Sequence, residues 1–379
     1  MRLRVSIMAA CAIGACALAA CSGGGRTAAG MTAIPPVTGG GGLQSNALSL
    51  SGTSILKRLD DERTVGSAVD PVTGDVNPYG LDIAKVTSGK IEAGDLVVCD
   101  FNDSSNVQGT GNAILTLDPI VGSVPRSLVH STELLGCNAL ATAPTGPIWA
   151  ASFADDNPIF SASGALLNTL EGGPWRHPFG ETFAPPFHGM GAPAFYVSNA
   201  GDGSLVRVTV LPGPAFRFTI IARGFPINGG APGSILAPSG LNYESSDDRL
   251  YVVDGQNNAL YAIDNVSQVD ANGIMVHDLA FTGKDANRAH VIFHGPPLNG
   301  PISSALLPGG NVAIGNTLDP NGFNLMVEVS RTGALLDVKN VDTGASGAIF
   351  GMVASGATAG TVKLYFNDDN DNTVKVLTP

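Results

Sequence analysis

The chain has 379 residues, a formal net charge of −12 and charged side chains at only 14% of its positions. This acidic balance argues against nucleic acid as a partner, because nucleic-acid binding depends on lysine and arginine side chains that neutralise phosphates. Forty-nine glycines and 25 prolines, beside an apolar fraction of 44%, are typical of many short strands joined by tight turns. We therefore expect an all-β protein.

The amino terminus predicts export and lipid attachment. Arg2 and Arg4 precede an apolar run over residues 5–20, which is too short for a membrane span. The run ends in the sequence LAAC at residues 18–21, which resembles the lipobox of bacterial lipoproteins. The resemblance implies that Cys21 carries the acyl chains, palmitate among them, after cleavage. The other interpretation is an ordinary signal peptide followed by a chance cysteine.

Three segments follow from this interpretation. Residues 1–20 are the predicted signal peptide, residues 21–50 are a flexible tether rich in Gly, Ala and Thr, and residues 51–379 are the folded domain. Ser22 follows the cysteine where an Asp would imply inner-membrane retention, so the resemblance implies the outer membrane of a bacterial envelope. The acidic domain is not expected to dock on anionic lipid, which leaves the lipid as its contact with the membrane.

Two cysteines remain once the signal peptide and Cys21 are set aside. They are Cys99 and Cys137. Two cysteines in an oxidising compartment most simply form one disulfide. The alternative is a pair of buried free thiols, since Cys99 lies in a predicted strand and cysteine packs well as a small core residue.

A repeated unit organises the domain. Each copy is an apolar run, a polar knot of Gly, Asn and Asp, and a second apolar run. The copies are spaced 47 to 62 residues apart, which is the range of repeat proteins with one supersecondary unit per repeat. Together with strands upstream and downstream of each knot, this predicts four short strands per unit, as in a β-propeller blade. The knots are centred near Asp100, Ser152, Asn199, Asp254, Asn316 and Asp368.

The fourth copy, LYVVDGQNNALYAID at residues 250–264, resembles the NHL repeat. The resemblance covers residues 77–379 and implies a six-bladed β-propeller of the NHL-like or TolB-like superfamily. A seven-bladed ring is the structural alternative. The last unit is one strand short, and we expect residues 53–60 to supply that strand and close the ring, which also removes an exposed sheet edge.

The polar knots are predicted to be turns. Asp254, Asn257 and Asn258 belong to residue types that tolerate left-handed backbone conformations and cap their own turns. The acidic knot NDDNDN, residues 367–372, admits two interpretations. It is either a set of solvated Asx turns or a calcium site, because hard cations take several oxygen ligands.

Ligands of propellers usually sit at the mouth of the central channel, and residues that start the inner strands line it. Lactonase-like propellers, a group that the resemblance brings in, hold a divalent metal there through carboxylate and amide oxygens. The sequence offers amides at this rim but no carboxylate clearly placed to complete a metal site. Turn capping is the alternative role for these side chains. The predicted rim residues are Asn77, Tyr79, Asn138, Ser239 and Asn299.

A proline-rich segment, residues 171–191, is the predicted ligand-binding loop. Its aromatic and polar side chains suit a stiff binding loop, although a lid that only plugs the ring would look the same. With His290 and His294 of a later loop, its two histidines would form a zinc or general-base site if all four met at the mouth. The candidate residues are Trp175, Arg176, His177, Phe179, Glu181, Phe183, Phe187 and His188.

Two functions follow. The first is a lipid-anchored envelope module that binds or scaffolds a protein or a small ligand, with no cofactor. The second is a lactonase-like hydrolase or lyase with calcium or zinc at the central channel. The sequence contains no phosphate-binding loop, H-E-x-x-H zinc motif or G-x-S-x-G nucleophile elbow, which favours the first.

Overall fold

The computed structural model describes residues 53–379, apart from residues 214 and 320. The predicted signal peptide, Cys21 and the tether lie outside these residues. Within the described part of the chain, no helix is both long and apolar enough to cross a membrane.

Strands make up most of the described chain. Each is short, between three and eight residues, as the density of turn-forming residues predicts. In chain order the strands are β1 Asp61–Ser67, β2 Val76–Ile83, β3 Leu96–Asn102, β4 Ala113–Leu117, β5 Arg126–His130, β6 Cys137–Thr142, β7 Ile148–Ser152, β8 Pro158–Phe160, β9 Leu166–Thr169, β10 Pro178–Ala184, β11 Ala194–Asn199, β12 Ser204–Val210, β13 Phe216–Arg223, β14 Pro238–Glu244, β15 Arg249–Asp254, β16 Ala259–Ile263, β17 Ile274–His277, β18 Ala280–Thr282, β19 Ala289–His294, β20 Pro301–Leu306, β21 Val312–Asn316, β22 Leu325–Val329, β23 Leu335–Asn340, β24 Ile349–Ser355, β25 Lys363–Asp368 and β26 Thr373–Thr378.

Short 3₁₀ turns account for the helical content of the described residues. Each has three residues and connects strands or precedes the first strand, which is the ordinary use of a 3₁₀ turn. They span Leu56–Arg58, Phe187–Gly189, Val266–Gln268 and Ala286–Arg288.

The strands form six sheets arranged as the blades of a propeller. Blades 1 to 5 begin at β2, β6, β10, β14 and β20, and blade 6 contains β24, β25 and β26. The first strand of each blade contacts the first strand of the next, and β24 contacts β2 again, so the inner strands form a closed ring. The predicted six-bladed propeller is confirmed, and the seven-bladed alternative is wrong.

An amino-terminal strand closes the ring, as predicted. β1 pairs antiparallel with β26, from Asp61 opposite Thr378 to Ser67 opposite Thr373, and becomes the outermost strand of blade 6. The expectation that residues 53–60 form this strand is wrong. Ile55, Leu56 and Leu59 are instead buried around a 3₁₀ turn between blades 5 and 6. The sequence does not predict β1, because its residues, DERTVGS, are mostly exposed and polar and so lack the apolar pattern of the other strands.

Blades 3 and 4 share a hairpin. β17 and β18 are inserted between the third and fourth strands of blade 4, yet β17 pairs with β13, the outermost strand of blade 3, through Ala222–Ile274 and Arg223–Met275. This pairing is parallel, whereas the neighbouring pairs of both blades are antiparallel. The insertion explains why the spacing between knots is largest after Asp254.

The structure joins Cys99 to Cys137 in a disulfide that spans 38 residues of sequence. Cys99 lies in the second strand of blade 1 and Cys137 opens the first strand of blade 2. The bond therefore fastens two neighbouring blades. Closing a loop of this length restricts the unfolded chain and contributes about 4 kcal/mol in the chain-entropy account.

Candidate functional site

The six inner strands start with the same irregularity. In each, the pairing register shifts near the start of the strand, for example between Pro78 and Gly80 in β2 and between Pro178 and Glu181 in β10. We call the side of the ring on which these strands begin the upper face. Residues at this irregularity line the channel at that face: Tyr79, Asn138, Phe179, Ile302 and Phe350. The predicted rim residue Ser239 holds the same position in β14 but does not line the cavity.

Small residues follow at the next position and make the channel narrow. A Cβ at Gly180 would lie 1.9 Å from the carbonyl oxygen of Ser239, and one at Gly351 would lie 2.4 Å from that of Tyr79. Neighbouring inner strands therefore approach each other as closely as backbone allows. The cavity beside these glycines is only ≈ 70 Å³, too small for a drug-sized ligand. A second cavity of ≈ 270 Å³ lies lower in the channel between the same six inner strands.

Aromatic rings fill the upper mouth. The ring of Tyr79 stacks between those of Phe101 and Phe350, with centroid distances of 4.3 Å and 3.8 Å, and Phe179 lies beside it at 6.4 Å. Tyr79 is 5% exposed. A cavity of ≈ 270 Å³ lies above this stack, against Leu236 and other apolar side chains.

Within the described chain, hydrogen bonds involve the side chains of Asn138 and Ser239 but only the backbone of Asn77 and Asn299. The Oδ1 of Asn77 is buried without a partner among the described residues. The Asn138 Nδ2 donates to the carbonyl oxygen of Pro178 at 2.8 Å. Asn77 is buried in a left-handed conformation, and its N–H donates to Asn372 Oδ1 at 2.7 Å. The Asn299 N–H donates to Asn316 Oδ1 at 3.1 Å, and the hydroxyl of Ser239 points at the carbonyl of Val253.

The channel does not fit a divalent cation. Among the described residues that line the channel, the carboxylates are Glu181 and, at the lower end, Asp82, and no histidine is present. Asp82 Oδ2 accepts the N–H and hydroxyl of Thr142 at 2.7 Å, and its Oδ1 pairs with Lys85. Glu181 Oε1 accepts a hydrogen bond from Asn157 Nδ2, and burial raises the pKa of this carboxyl well above its usual range. Calcium requires several oxygen ligands and zinc prefers nitrogen or sulfur, and this lining supplies neither set.

The middle of the predicted ligand-binding loop is a strand, whereas residues 171–177 and 185–191 lie outside it. Phe179, Glu181 and Phe183 belong to β10, the inner strand of blade 3. This strand of seven residues spans roughly 20 Å, so residues before and after it lie on opposite faces of the ring. The prolines and glycines around it gave a strand the composition of a loop.

The upper part of this segment packs against blade 2. His177 stacks on Phe153 with a centroid distance of 4.2 Å, and its Nδ1 lies 2.8 Å from the Phe153 carbonyl. The indole N–H of Trp175 donates to the Leu170 carbonyl, and this side chain is only 3% exposed. Arg176 donates to the Trp175 carbonyl. These contacts are structural.

The four histidines do not converge. His188 is exposed at the lower end of β10, whereas His177 is at the upper end. His290 and His294 lie in β19, the outermost strand of blade 4, where His290 Nδ1 is 3.7 Å from Asp264 Oδ2. The prediction of a shared zinc or general-base site at the mouth is therefore wrong, since sequence could not show which strand of a blade carries each histidine.

The acidic knot surrounds a lysine. Asp342, Asp368 and Asp371 bring carboxylate oxygens within 4.8 Å of one another. Lys375 Nζ lies 2.5 Å from Asp368, 3.2 Å from Asp371 and 3.6 Å from Asp342. The ammonium group of Lys375 therefore lies among the three carboxylates and offsets one of their three negative charges. The calcium interpretation of residues 367–372 loses part of its electrostatic reason.

An apolar groove opens on the lower face between blades 2 and 3. Its volume is ≈ 710 Å³, within the range of ligand pockets. Trp149 forms its floor and is surrounded edge to face by Phe183, Phe195 and Phe216 at centroid distances of 4.7 to 5.5 Å. The residues that line the groove are Ala143, Pro144, Thr145, Pro147, Trp149, Ile159, Leu167, Asn168, Phe183, Ala184, Pro185, Pro186, Pro193, Val210, Gly213 and Phe216.

No ionisable side chain appears among the described residues that line this groove. Prolines from the loops after β6 and β10 form its rim, and Leu167 of β9 lies at the lip with 56% of its surface exposed. The lower end of the proline-rich segment contributes Phe183, Pro185 and Pro186 to the groove. The aromatic and proline content of that segment marks it as a candidate in the sequence. Nothing in the sequence marks Trp149 of β7 or Phe216 of β13, which lie in ordinary strands.

Comparison with known proteins gives the fold. No family model matches the chain, and no curated protein matches it. Among solved structures, regucalcin from Agrobacterium tumefaciens, described as a calcium-binding protein, has a TM-score of 0.53 at 16% identity over 83% of this chain and 94% of that one. A virginiamycin B lyase from Staphylococcus aureus has a TM-score of 0.48 at 15% identity over 84% and 98%. At these identities the likeness to regucalcin supports a shared propeller architecture.

Proposed function

We propose that this protein is a lipid-anchored binding module of the bacterial envelope, and that it holds a small, uncharged, apolar ligand in the groove between blades 2 and 3. The groove carries the proposal because it combines a ligand-sized volume with an aromatic floor at Trp149. Apolar sites of this size with few polar groups are the usual form of small-molecule pockets. The lipobox-like sequence at Cys21 supports the anchor.

The chemistry of the lining defines the ligand class. A charged ligand would lose its hydration in the groove and find no opposite charge among the described lining residues, which is costly. Thr145, Asn168 and the indole N–H of Trp149 are the side-chain groups of the lining that can form hydrogen bonds, so at most a few polar groups on the ligand would be satisfied. The stiff prolines at the rim limit the ordering entropy lost on binding.

The alternative function, a lactonase-like hydrolase or lyase with a channel metal, has less support in this chain. The regucalcin likeness concerns the fold, and the calcium named for that protein would need oxygen ligands that converge. Here the corresponding channel contains two carboxylates that are apart from any histidine: Glu181, which is buried, and Asp82, which already accepts hydrogen bonds from Thr142 and pairs with Lys85.

A charge placed at the lip of the groove tests the proposal. The probe is N-phenyl-1-naphthylamine, an uncharged fluorophore that brightens in apolar surroundings. We expect saturable binding to the wild type and at least tenfold weaker binding to Leu167→Asp, because the new carboxylate would be partly desolvated by the bound probe. Fluorescence titration of both proteins measures the two dissociation constants.

Leu166→Asp is the matched control. Leu166 is the neighbouring residue of β9, 46% exposed, and it does not line the groove. This variant should bind the probe as the wild type does. Equal weakening by both substitutions, or no saturable binding to the wild type, would overturn the assignment of the groove.

A further inference from the structure

Buried acidic side chains gather where the ring closes. The loop between β1 and β2 crosses from blade 6 to blade 1 at the upper face and carries Asp70 and Asp75. Asp100 lies near the carboxyl end of β3, beside this loop. Asp70 and Asp100 are fully buried, and Asp75 is 4% exposed.

Asp100 is the unusual member of this group. Neither of its carboxylate oxygens has a hydrogen-bond partner among the described residues. The equivalent residue of blade 4, Asp254, caps its own turn by accepting the N–H groups of Gln256 and Asn257. In blade 1 the turn is longer, and Asp103 caps it instead. Turn capping, which accounts for the buried carboxylate of Asp254 in blade 4, therefore does not account for the buried carboxylate of Asp100.

Further oxygens around Asp100 are also unused. Within the described chain, Asp70 Oδ2, Asn102 Oδ1 and Asn112 Oδ1 are buried and accept no hydrogen bond. The opposite atoms of these side chains are fixed: Asp70 Oδ1 accepts the N–H groups of Val72 and Thr73, and Asn102 Nδ2 donates to Asn106. Their orientations are therefore set while one oxygen of each stays free.

Backbone contacts place these residues side by side. The N–H of Asn112 donates to Asp75 Oδ2 at 2.7 Å, and the N–H of Gly111 donates to the carbonyl of Phe101 at 2.9 Å. Burial raises the pKa of Asp100, and the nearby charges of Asp75 and Asp70 raise it further. The basic group in contact with this cluster, His130, lies against Asp70 Oδ1 rather than the free oxygen.

We propose that Asp100, Asp75, Asp70, Asn102 and Asn112 form a calcium site. The donors are carboxylate and amide oxygens, which calcium prefers and which it takes six to eight at a time. The three carboxyl groups are more widely spaced than those around Lys375, so the unused amide oxygens of Asn102 and Asn112 are needed to complete the set of ligands. No sulfur donor is among the five residues, which disfavours zinc.

The site would have a definite role in the fold. Asp70 and Asp75 belong to the segment that connects the closing strand β1 to the first inner strand β2, whereas the other three side chains belong to blade 1. A calcium ion would therefore fasten the closure segment to blade 1. The disulfide fastens the opposite side of blade 1 to blade 2.

Calorimetric titration of the folded domain with CaCl₂ tests the site. We expect one calcium per chain and a melting temperature that rises with millimolar calcium and falls again with chelator. Asp100→Asn should weaken calcium binding at least tenfold and abolish the thermal shift. Asn112→Asp, which adds a carboxylate to the same set, should tighten binding several-fold, an effect that a merely structural role would not produce.

Asp371→Asn is the matched control, because Asp371 belongs to a separate acidic group that pairs with Lys375. It should leave calcium binding unchanged. Absence of calcium binding by the wild type, or full binding by Asp100→Asn, would overturn the proposal. Loss of binding in Asp371→Asn alone would move the site to residues 342–371. None of these outcomes bears on the apolar groove, which is tested with a different probe.

Discussion

Asp254 shows how one residue both makes a turn and carries an electrostatic cost. Its Oδ1 accepts two N–H groups of the turn, while its Oδ2 is buried without a donor among the described residues. Burial raises the pKa of this carboxyl to about 7. The neighbouring amides are also used locally: Asn257 Nδ2 donates to Tyr261 Oη, and Asn258 adopts a left-handed conformation. The polar knot is therefore a turn, as its residue types predict.

The raised pKa of Asp254 predicts a pH dependence of stability. The unfolded chain releases this proton near pH 4, whereas the folded chain holds it to about pH 7. The free energy of unfolding should therefore fall between these values, by at most about 4 kcal/mol from this residue. Asp254→Asn keeps a capping oxygen without the charge and should show a less steep fall in urea denaturation measured from pH 4 to 8.

Asp103→Asn is the control for this experiment. Asp103 caps an exposed turn, and the N–H of Val107 lowers the pKa of its carboxyl, so its contribution is lost only on acidification. Its variant should keep the wild-type fall between pH 4 and 7. A curve for Asp254→Asn that parallels the wild type would show that this carboxyl ionises normally in the folded state.

At the scale of elements, the segment before β1 is attached to a different blade from β1 itself. Glu328 of β22 in blade 5 accepts hydrogen bonds from the Ser54 hydroxyl at 2.6 Å, the Ile55 N–H at 3.1 Å and the Leu56 N–H at 2.8 Å. Asn311 Nδ2 is a fourth donor at 2.7 Å. Glu328 is fully buried, so these donors replace the water that a carboxylate would otherwise require.

Replacing Glu328 should therefore destabilise ring closure. In Glu328→Gln, an amide N–H₂ would face groups that are themselves donors, and we expect a loss of about 3 kcal/mol in the free energy of unfolding. Urea denaturation measures the loss, and the exposed Glu133 on the loop before β6 provides the control variant Glu133→Gln. Equal stability of the two variants would contradict the role given to Glu328.

Sequence reasoning found the strands with a clear period and missed those without one. The second and third strands of each blade, such as β15 and β16, are apolar runs flanking a polar knot and were predicted. β1 is polar because it covers the outer edge, and β10 contains glycine and proline because inner strands approach one another closely. In both strands the unusual composition is set by where the strand lies in the folded ring, and the sequence of one strand does not show that position.

At the scale of the molecule, the sixfold repeat determined the architecture and left the binding site undetermined. Spacing along the chain gives the number of blades, but Trp149 and Phe216 come from different blades and meet only in the folded ring. For the same reason His188 and His294 could be grouped by composition although they lie far apart. Three of the predicted aromatic residues lie at these sites: Phe183 lines the groove, and Tyr79 and Phe179 belong to the aromatic stack in the upper mouth of the channel.

The anchor is a prediction for the whole molecule. If Cys21 is lipidated, wild-type protein expressed with its own leader should sediment with membranes, because multiple acyl chains give effectively stable attachment. Cys21→Ser should move the protein to the soluble fraction of the envelope, while Ser22→Ala should not. Fractionation followed by immunoblotting distinguishes these cases, and membrane retention of Cys21→Ser would refute lipid attachment at this residue.

The hydrogen bonds from residues 54–56 to Glu328 determine which part of the domain first bears a force applied at its amino-terminal end. Any pull on the amino-terminal side of the domain travels along the backbone and reaches blade 5 before it reaches β1. The strand that holds the ring shut is thus not the first to bear tension, since the preceding residues transfer it to a neighbouring sheet. If the domain is held by its amino-terminal end, these hydrogen bonds to Glu328 would bear the applied force first, and the pairing of β1 with β26 would be protected from it.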